Sequence, residues 1–549
     1  MSDGGFQPGP VRRPIGLETE FGVLRPDDPY ANPVVLSSQV VEAYRTAADV
    51  PAVRWDYEGE DPLADLRGGR IQRSAAHPSQ LTDDPTCPAP SGDAPPPAPW
   101  GSRARPGAAE AALPRATTAV LVNGARFYVD HAHPEYSSPE VLTPRDALIW
   151  DRAGEVVARR AMTALGDESD RGGTPAEIVL YKNNVDGKGA AYGSHENYLV
   201  RRDVPFEELA AVLVPFLVTR PVLVGAGRVG IGQRSERPGF QISQRADYVE
   251  SEIGLQTTFN RPIINTRDEP HADNVRWRRL HVINGDANRF DVPIYLKVAT
   301  ADLLLWFLEQ AYTEGSGRFK EALARLKDLA IIGDPVEEHW ALSHDPTLSH
   351  ELRTQAGAMT ALEVQRAILD AVSPAVTRVE DVQAHRALAL WRQVLDALEQ
   401  WRHDGTGPAA QMVEWVAKYE LCEGLRRRSG TGWDDPRLAA LDIQWADLRP
   451  GRSVVDKLDA ADRIHRLVTD AEIQRAADTP PEGTRAAVRG TAIRRHRQIV
   501  GASWTCLLLD VPGTPALARL RLPDDVVVGP DETATILEEI GRRAEPERH

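Results

Sequence analysis

The stretch that decides the fold is NGARFYVDHAHPEYSSPE, at residues 123–140. It opens on an Asn-Gly pair, and the runs on either side of this pair, residues 119–122 and 125–129, are rich in β-forming residues. Asn-Gly between two such runs is the strongest two-residue signal for a β-hairpin. The sequence therefore predicts a hairpin at this place.

The second strand of the hairpin separates a polar face from an apolar face. Because side chains alternate along a strand, Arg126, Tyr128 and Asp130 are predicted to share one face. Phe127 and Val129 then lie on the other face. We expect the polar face to contribute residues to a functional site and the apolar face to pack in the core.

A dense group of ligand-type side chains follows. Asp130, His131, His133 and Glu135 bring two acids and two imidazoles into six residues beside a strand end. Such hard ligands suit metal ions, so the cluster predicts a site for metal and phosphate. The alternative is a solvated strand end with ordinary charges.

Length and composition restrict the function classes. With 549 residues, 42% of them hydrophobic, the chain is globular and can bury a large core. A formal net charge of −16 argues against a general nucleic-acid coat and against a binder of anionic membranes. Three widely separated cysteines indicate neither a disulfide framework nor a structural zinc site. Without a hydrophobic leader at the start, the chain is expected to be cytoplasmic.

A strand near the N-terminus carries paired acids. In PIGLETEFGVL, residues 14–24, apolar residues alternate with a face that holds Glu18 and Glu20. Two carboxylates on one strand face repel each other unless a cation lies between them. The pair therefore either meets solvent at a sheet edge or coordinates a metal. A helix is expected from about Ser38, with Ser37 or Ser38 as its N-cap.

Between these strands the periodicity fails. The segment from about 58 to 116 is rich in Pro, Gly, Ala and Ser and predicts a mobile insertion.

A formal GxGxxG at 225–230 is rejected as a dinucleotide site, because Gly and Pro stand where the helix should begin. From about 293 to 430 the spacing predicts packing helices. From about 466 it predicts a smaller α+β unit.

Further polar groups follow the hairpin. His195 and Asn197 share one face of a predicted strand, and Arg245, Arg267 and His281 are basic groups of the kind that a polyphosphate needs. Taken singly, each is more commonly a structural hydrogen-bonding group or half of a surface ion pair.

Several motifs together resemble the Pup ligase and depupylase family. They are GLETEFG at 16–22, RWDYE at 54–58 with PLADLRG at 62–68, the 123–140 stretch, LYKNNVDGKGAAYGSHENYL at 180–199, GFQISQR at 239–245, INTRDEPHAD at 264–273 and RRLHVINGDAN at 278–288. The resemblance implies a glutamine-synthetase-like α+β fold, in which a curved, mainly antiparallel sheet is flanked by helices. It further implies a catalytic domain at 1–465 and a small C-terminal α+β domain at 466–549.

Residue by residue, the resemblance implies that Asp130 is the nucleophile or the general base. The residues that it implies around the metal ions are Glu18, Glu20, Tyr128, Glu135, His195 and His281. Those that it implies at the nucleotide or its phosphates are Arg126, Ser138, Asn197, Arg245, Arg267 and Trp504.

The implied activity is hydrolysis of the C-terminal glutamine side-chain amide of Pup and of the isopeptide bond that joins Pup to proteins in a proteasome tagging pathway. The implied cofactors are Mg²⁺ and ATP, which is not consumed stoichiometrically. The implied partners are Pup and pupylated proteins, with no nucleic acid and no membrane.

The ligase branch of the family is the close competitor. Two features favour the depupylase branch: the insertion that begins at RWDYE, and the five-residue spacing of Asp130 and Glu135, where the ligases typically have one residue more. A catalytically silent module that binds Pup and nucleotide is a third possibility. Retention of Asp130, both strand carboxylates and His195 argues against it.

Overall fold

The structure is a computed structural model that describes residues 10–77, 81, 98–107, 117–170, 177–186, 189–313, 317 and 319–544. Its strands, in chain order, are β1 (Ile15–Glu20), β2 (Gly22–Leu24), β3 (Arg54–Trp55), β4 (Trp100–Arg103), β5 (Thr118–Val120), β6 (Arg126–Asp130), β7 (His133–Ser137), β8 (Val179–Tyr181), β9 (Ser194–Arg201), β10 (Arg228–Ile231), β11 (Arg237–Gln241), β12 (Val249–Gly254), β13 (Arg261–Asn265), β14 (Trp277–Val282), β15 (Glu351–Thr354), β16 (Gly357–Thr360), β17 (Ile499–Ala502), β18 (Cys506–Leu509) and β19 (Leu517–Arg521).

The helices, in chain order, are α1 (Pro33–Ala47), α2 (Pro144–Asp170), α3 (Phe206–Thr219), α4 (Pro221–Val224), α5 (Asp291–Thr313), α6 (Lys320–Lys327), α7 (Pro335–Ser343), α8 (Ala361–Val376), α9 (Val382–Asp404), α10 (Ala409–Met412), α11 (Glu414–Ser429), α12 (Pro436–Ala446), α13 (Val454–Ala460), α14 (Asp470–Asp478), α15 (Arg485–Arg495) and α16 (Pro530–Ala544). No helix among the described residues combines the length and the apolar character that crossing a bilayer would need.

The main sheet has eight strands in the order β12-β13-β14-β9-β1-β7-β6-β5. Every neighbouring pair is antiparallel except β12 and β13, which run parallel. The predicted α+β class and the mainly antiparallel sheet are thus confirmed. β1 lies in the interior of this sheet, between β9 and β7, so the paired acids of β1 are not at a sheet edge.

The 123–140 stretch forms two successive hairpins. The predicted turn at Asn123 and Gly124 joins β5 to β6, and Gly124 has a φ of 83°. The strand ends after Asp130 as expected, but His131 and Ala132 then make a second tight turn into β7, which was not predicted. Glu135 therefore lies on a strand, directly opposite Tyr128 of β6.

The apolar face of these strands packs on helices. Phe127 contacts Tyr44 of α1 edge to face, with their ring centroids 5.9 Å apart. Helix α1 begins earlier than expected: Asn32 is its N-cap and accepts a hydrogen bond from Val34 N, with proline at the first helical position. Ser37, one of the serines expected as the cap, instead donates to Ala132 O with its hydroxyl, at 2.8 Å.

The helical second half packs behind the sheet, as predicted. Helix α5 is buried over nearly its whole length and forms the centre of the largest hydrophobic cluster, together with α3, α8 and α9. The glycine motif at 225–230 follows α4 and leads into β10 rather than a helix, which agrees with its rejection as a dinucleotide site.

A second sheet of five strands has the order β3-β17-β18-β19-β4. Two of its strands come from far upstream in the chain: β3 pairs parallel with β17, and β4 pairs antiparallel with β19. The C-terminal unit is therefore completed by the segments 54–55 and 100–103, the latter inside the expected insertion. The rest of that insertion is described only at 58–77, 81, 98–99 and 104–107. The proposed boundary at 465 stays a prediction.

Helix α15 of this unit docks on the turn of the first hairpin. A Cβ added at Gly490 would lie 2.6 Å from Val122 O, and one added at Gly124 would lie 2.8 Å from Ala486 O. Only glycine at both places allows the two backbones to approach so closely. The docking brings the C-terminal unit against the polar face of the main sheet.

Candidate functional site

The register of the main sheet gathers the predicted ligands on one face. Glu18 of β1 lies opposite His195 of β9, and Glu20 lies opposite Glu135 of β7. Tyr128 of β6 lies on the other side of Glu135. Residues separated by more than a hundred positions thus become neighbours through strand pairing.

One group of possible metal ligands consists of Glu18, His195 and His281, whose ligand atoms lie within 4.8 Å of one another. Asn197 orients this group: its Nδ2 donates to Glu18 Oε1 at 3.1 Å, and its Oδ1 lies 2.8 Å from His281 Nδ1. Burial, followed by the charge of Arg279, holds the pKa of His281 well below its usual value. The imidazole is therefore neutral and leaves Nε2 with a free lone pair.

A second group consists of Glu20, Asp130 and Glu135, again with ligand atoms within 4.8 Å. Burial and then the charges of Asp130, Glu18 and Glu20 raise the pKa of Glu135 well above its usual value. Tyr128 donates its hydroxyl to Glu135 Oε1 at 2.7 Å. Three carboxylates this close repel one another, and a divalent cation among them would relieve that repulsion.

Members of both groups line a large open space that we call the main cleft. It has a volume of about 1470 Å³, including space open to solvent. The implied site residues that line it are Glu18, Arg126, Tyr128, Asp130, Glu135, His195, Arg267, His281 and Trp504. Glu20 and Arg245 do not line it; Glu20 is buried with its Oε2 3.3 Å from His133 Nδ1.

Arg126 is held between aromatic rings. Its guanidinium carbon lies 3.7 Å from the ring centroid of Tyr128 and 4.0 Å from that of Trp55. It also donates to the hydroxyls of Tyr57 and Thr118, at 3.2 and 3.3 Å. A cation stacked in this way is fixed in place before any ligand arrives, which suits it to binding an anion.

A smaller side pocket of about 570 Å³ adjoins the cleft. Glu18, Arg279 and Trp504 line both spaces, and Ser138 and Asn197 line only the side pocket. Trp504 stands in the turn between β17 and β18. The C-terminal unit therefore supplies one wall of both spaces.

The two remaining predicted arginines differ in placement. Arg267 lines the cleft and donates to the carboxylate of Glu269. Arg245 is buried outside both spaces and donates to the carbonyl oxygens of Tyr192 and Ile283, at 3.2 and 3.1 Å. Burial, followed by the charge of Arg261, lowers its pKa to about 9.

Sequence reasoning missed several residues that line the cleft. They are Tyr57, Glu60, Glu269 and Arg279, whereas His131, a member of the cluster predicted from the sequence, does line the cleft. Burial and then the charge of Glu269 raise the pKa of Glu60 to about 7. The RWDYE motif was a signal for Tyr57, but only the pairing of β3 with β17 shows that this segment passes over the main sheet.

Comparison with known proteins gives one family. The sequence profile described as "Pup-ligase protein" matches residues 13–508. A Pup deamidase/depupylase of Mycolicibacterium smegmatis is 42% identical over 522 residues, which cover 93% of this chain and 95% of that protein. A Pup–protein ligase of Nocardioides sp. is 38% identical over 388 residues, which cover 70% of this chain and 82% of the ligase.

Solved structures of the ligase PafA are similar as well. PafA in complex with Pup superposes with a TM-score of 0.73 at 27% identity and covers 97% of this chain and 92% of that chain. PafA in complex with ADP gives a TM-score of 0.68 at 32% identity over 79% of this chain and 91% of that chain. The chain therefore has the fold of this ligase.

Proposed function

Because the chain belongs to the Pup-ligase protein family, we propose that it is a deamidase and depupylase of Pup. The observation that carries this proposal is 42% identity to a named deamidase/depupylase over 93% of the chain, where the named ligase is similar over only 70%. In this role it hydrolyses the side-chain amide of a C-terminal glutamine of Pup. It also hydrolyses the isopeptide bond between Pup and lysines of tagged proteins.

The nucleotide of this proposal is ATP. A similar ligase forms a complex with ADP, and the main cleft offers cations and an aromatic wall for such a ligand. Arg126 and Arg267 can hold phosphoryl oxygens, and Trp504 can contact the base. Ser138 and Asn197 line the adjoining side pocket. Arg245, which already donates to two backbone carbonyls, acts as a buried support behind these groups.

The metal of this proposal is Mg²⁺. In the second group, the carboxylates of Glu20 and Glu135 offer the hard oxygen ligands that Mg²⁺ takes, while Asp130 beside them is the reacting group; the first group, Glu18 with the two imidazoles, forms a mixed set. Tyr128 supports the second group through its hydrogen bond to Glu135. When bound, such ions would neutralise phosphate charge near the reacting amide.

In the mechanism that we propose, the Asp130 carboxylate attacks the carbon of the side-chain amide. The C–N bond breaks as the leaving nitrogen takes a proton from solvent water, so that ammonia or the lysine amine departs and the acyl group remains on Asp130 as an anhydride. Water then hydrolyses the acyl intermediate and restores Asp130. The alternative is that Asp130 takes a proton from a water molecule that attacks the amide directly. ATP, when bound, would organise the site and would not be consumed in each turnover, because hydrolysis of an amide needs no activation of a carboxylate.

Stoichiometry tests the proposed function against ligation. We expect ammonia released from Pup ending in glutamine to exceed ADP formed by at least about tenfold, since a ligase must spend one ATP for each bond. Pup ending in glutamate, given ATP and a target protein, should yield no conjugate. ADP that accumulates one for one with a Pup–lysine conjugate would make the protein a ligase, and nucleotide binding without either reaction would make it a silent module.

A test of the first metal group uses Gly193. A Cβ at this position would overlap the ring of His195, so Gly193→Ala should displace the imidazole from Glu18 and His281. We expect the Mg²⁺ concentration needed for half-maximal nucleotide binding to rise at least about tenfold, as when a support of a metal ligand is lost. Calorimetric titrations at several Mg²⁺ concentrations measure this. Gly424→Ala, at an open helical position, should change nothing.

An unchanged Mg²⁺ dependence in Gly193→Ala would remove His195 from the metal ligands.

The cytoplasmic location expected from the sequence remains a prediction, which fractionation of the source cells would check.

A further inference from the structure

The carboxylate of Asp130 is held differently from the other acids of the site. Glu135 receives hydrogen bonds from Tyr128 and Ser137, at 2.7 and 2.8 Å. Glu18 is likewise held by Asn197. These partners stand on the paired strands β6, β7 and β9, so the register of the sheet determines the orientation of those two carboxylates.

Among the described residues, the hydrogen-bond partner of the Asp130 carboxylate is His131, whose Nδ1 lies 2.8 Å from Oδ2. The Asp130 side chain is 29% exposed, and that of His131 is 45% exposed. Burial therefore does not keep either side chain in place. Without His131, the Asp130 carboxylate would rotate about its side-chain bonds.

His131 also stands where its backbone is unfavourable. It has a φ of 50° in the two-residue turn between β6 and β7. Tight hairpin turns favour Gly or Asn at such a position, because a Cβ is strained there. An exposed, strained residue contributes little to packing, so the presence of histidine needs another reason.

We propose that His131 is a positioning residue, which donates a hydrogen bond from Nδ1 to Asp130 Oδ2 and thereby aims the other carboxylate oxygen into the main cleft. This inference rests on the proposed function, in which Asp130 is the reacting group. Correct aim matters because a misplacement of about 1 Å can cost on the order of 100-fold in rate.

Two substitutions separate this role from a role in the turn. Gly and Asn both accept the positive φ of residue 131, but only Asn offers a short side chain with an N–H donor. We expect His131→Gly to lower kcat for deamidation of Pup on the order of 100-fold, with KM nearly unchanged and an unfolding temperature equal to or above that of the wild type. His131→Asn should recover kcat to within about tenfold of the wild type, since it restores a donor.

A matched control relieves the same strain elsewhere. Asp462 has a φ of 52° in an exposed loop of the C-terminal part of the chain. Asp462→Gly should leave kcat unchanged while its unfolding temperature stays equal or rises. If kcat falls in His131→Gly but not in Asp462→Gly, while neither variant loses stability, then the side chain of His131, and not the turn, serves the reaction.

A measurement without substrate completes the test. In ¹⁵N spectra of selectively labelled histidine, His131 Nδ1 should carry a proton whose signal shifts in Asp130→Asn. A His131 Nδ1 without a proton, or a His131→Gly protein with wild-type kcat, would overturn this inference and leave the proposed function intact. Wild-type protein that releases no ammonia from Pup, with the Nδ1 proton present, would instead overturn the proposed function.

Discussion

Asp130→Asn is expected to abolish both deamidation of Pup and cleavage of Pup conjugates, by at least about 1000-fold, which corresponds to roughly 4 kcal/mol of barrier. The change removes the nucleophilic charge at nearly constant volume, and the amide oxygen can still accept a hydrogen bond from His131. Asp130 lines the cleft at the end of β6, whereas Trp55, which contacts Trp504, lies over Arg126 at the start of that strand. Nucleotide affinity should therefore change by less than about fivefold, or roughly 1 kcal/mol.

Ammonia release and gel assays of conjugate cleavage measure the activity, and calorimetry measures ADP binding. Asp525→Asn makes the same chemical change at an exposed carboxylate, paired with Arg276, and should behave as wild type. Hydrolysis by Asp130→Asn within about tenfold of wild type, a loss of only ~1.4 kcal/mol, would remove Asp130 from the catalytic role.

Arg489→Met is expected to destabilise the protein by about 3 kcal/mol or more. Arg489 is fully buried, donates to Gly124 O at 3.0 and 2.8 Å, and lies 2.5 Å from Glu140 Oε2. Methionine fills a similar volume but leaves the carbonyl without its donor and weakens the pairing of a largely buried carboxylate. The free energy of unfolding, measured in urea, gives the loss of stability. We expect α15 to separate from the first hairpin in the same variant.

The matched control for this change is Arg497→Met, just beyond the same helix. Arg497 pairs with Asp49, but both side chains are largely exposed, at 61% and 84%. Exposed pairs contribute little, so we expect a loss below about 1 kcal/mol. Equal losses in the two variants would show that the pairing of Glu140 does not hold the two parts of the chain together.

Because Arg489 pairs with the titratable Glu140, the loss of unfolding free energy in Arg489→Met should depend on pH. Burial would raise the pKa of Glu140, but Arg489 and Arg485 together lower it to about 2. A folded pKa below the unfolded value contributes stability that is present above the unfolded pKa and is lost as the pH falls through the folded one. The difference in unfolding free energy between wild type and Arg489→Met should therefore shrink as the pH falls from about 4.5 to 2.

The sequence alone determined the local features of the site. Asn123-Gly124 predicted the first hairpin, and the period of two placed Arg126, Tyr128 and Asp130 on one face, because strand geometry is a property of the local backbone. The motifs indicated the family from residue types at fixed spacings. The second turn, at 131–132, was missed because it holds neither Gly nor Asn.

Only the tertiary structure decided which ligands meet. The sequence could not divide the acids into one group with the two imidazoles and another with Asp130, because that division depends on the register among β1, β6, β7, β9 and β14. Register between strands that are distant in the chain is set by the packing of their apolar faces on the core, which no local pattern contains. For the same reason, pairing of β3 with β17 was needed to bring Trp55 over Arg126 and against Trp504, which lines the cleft.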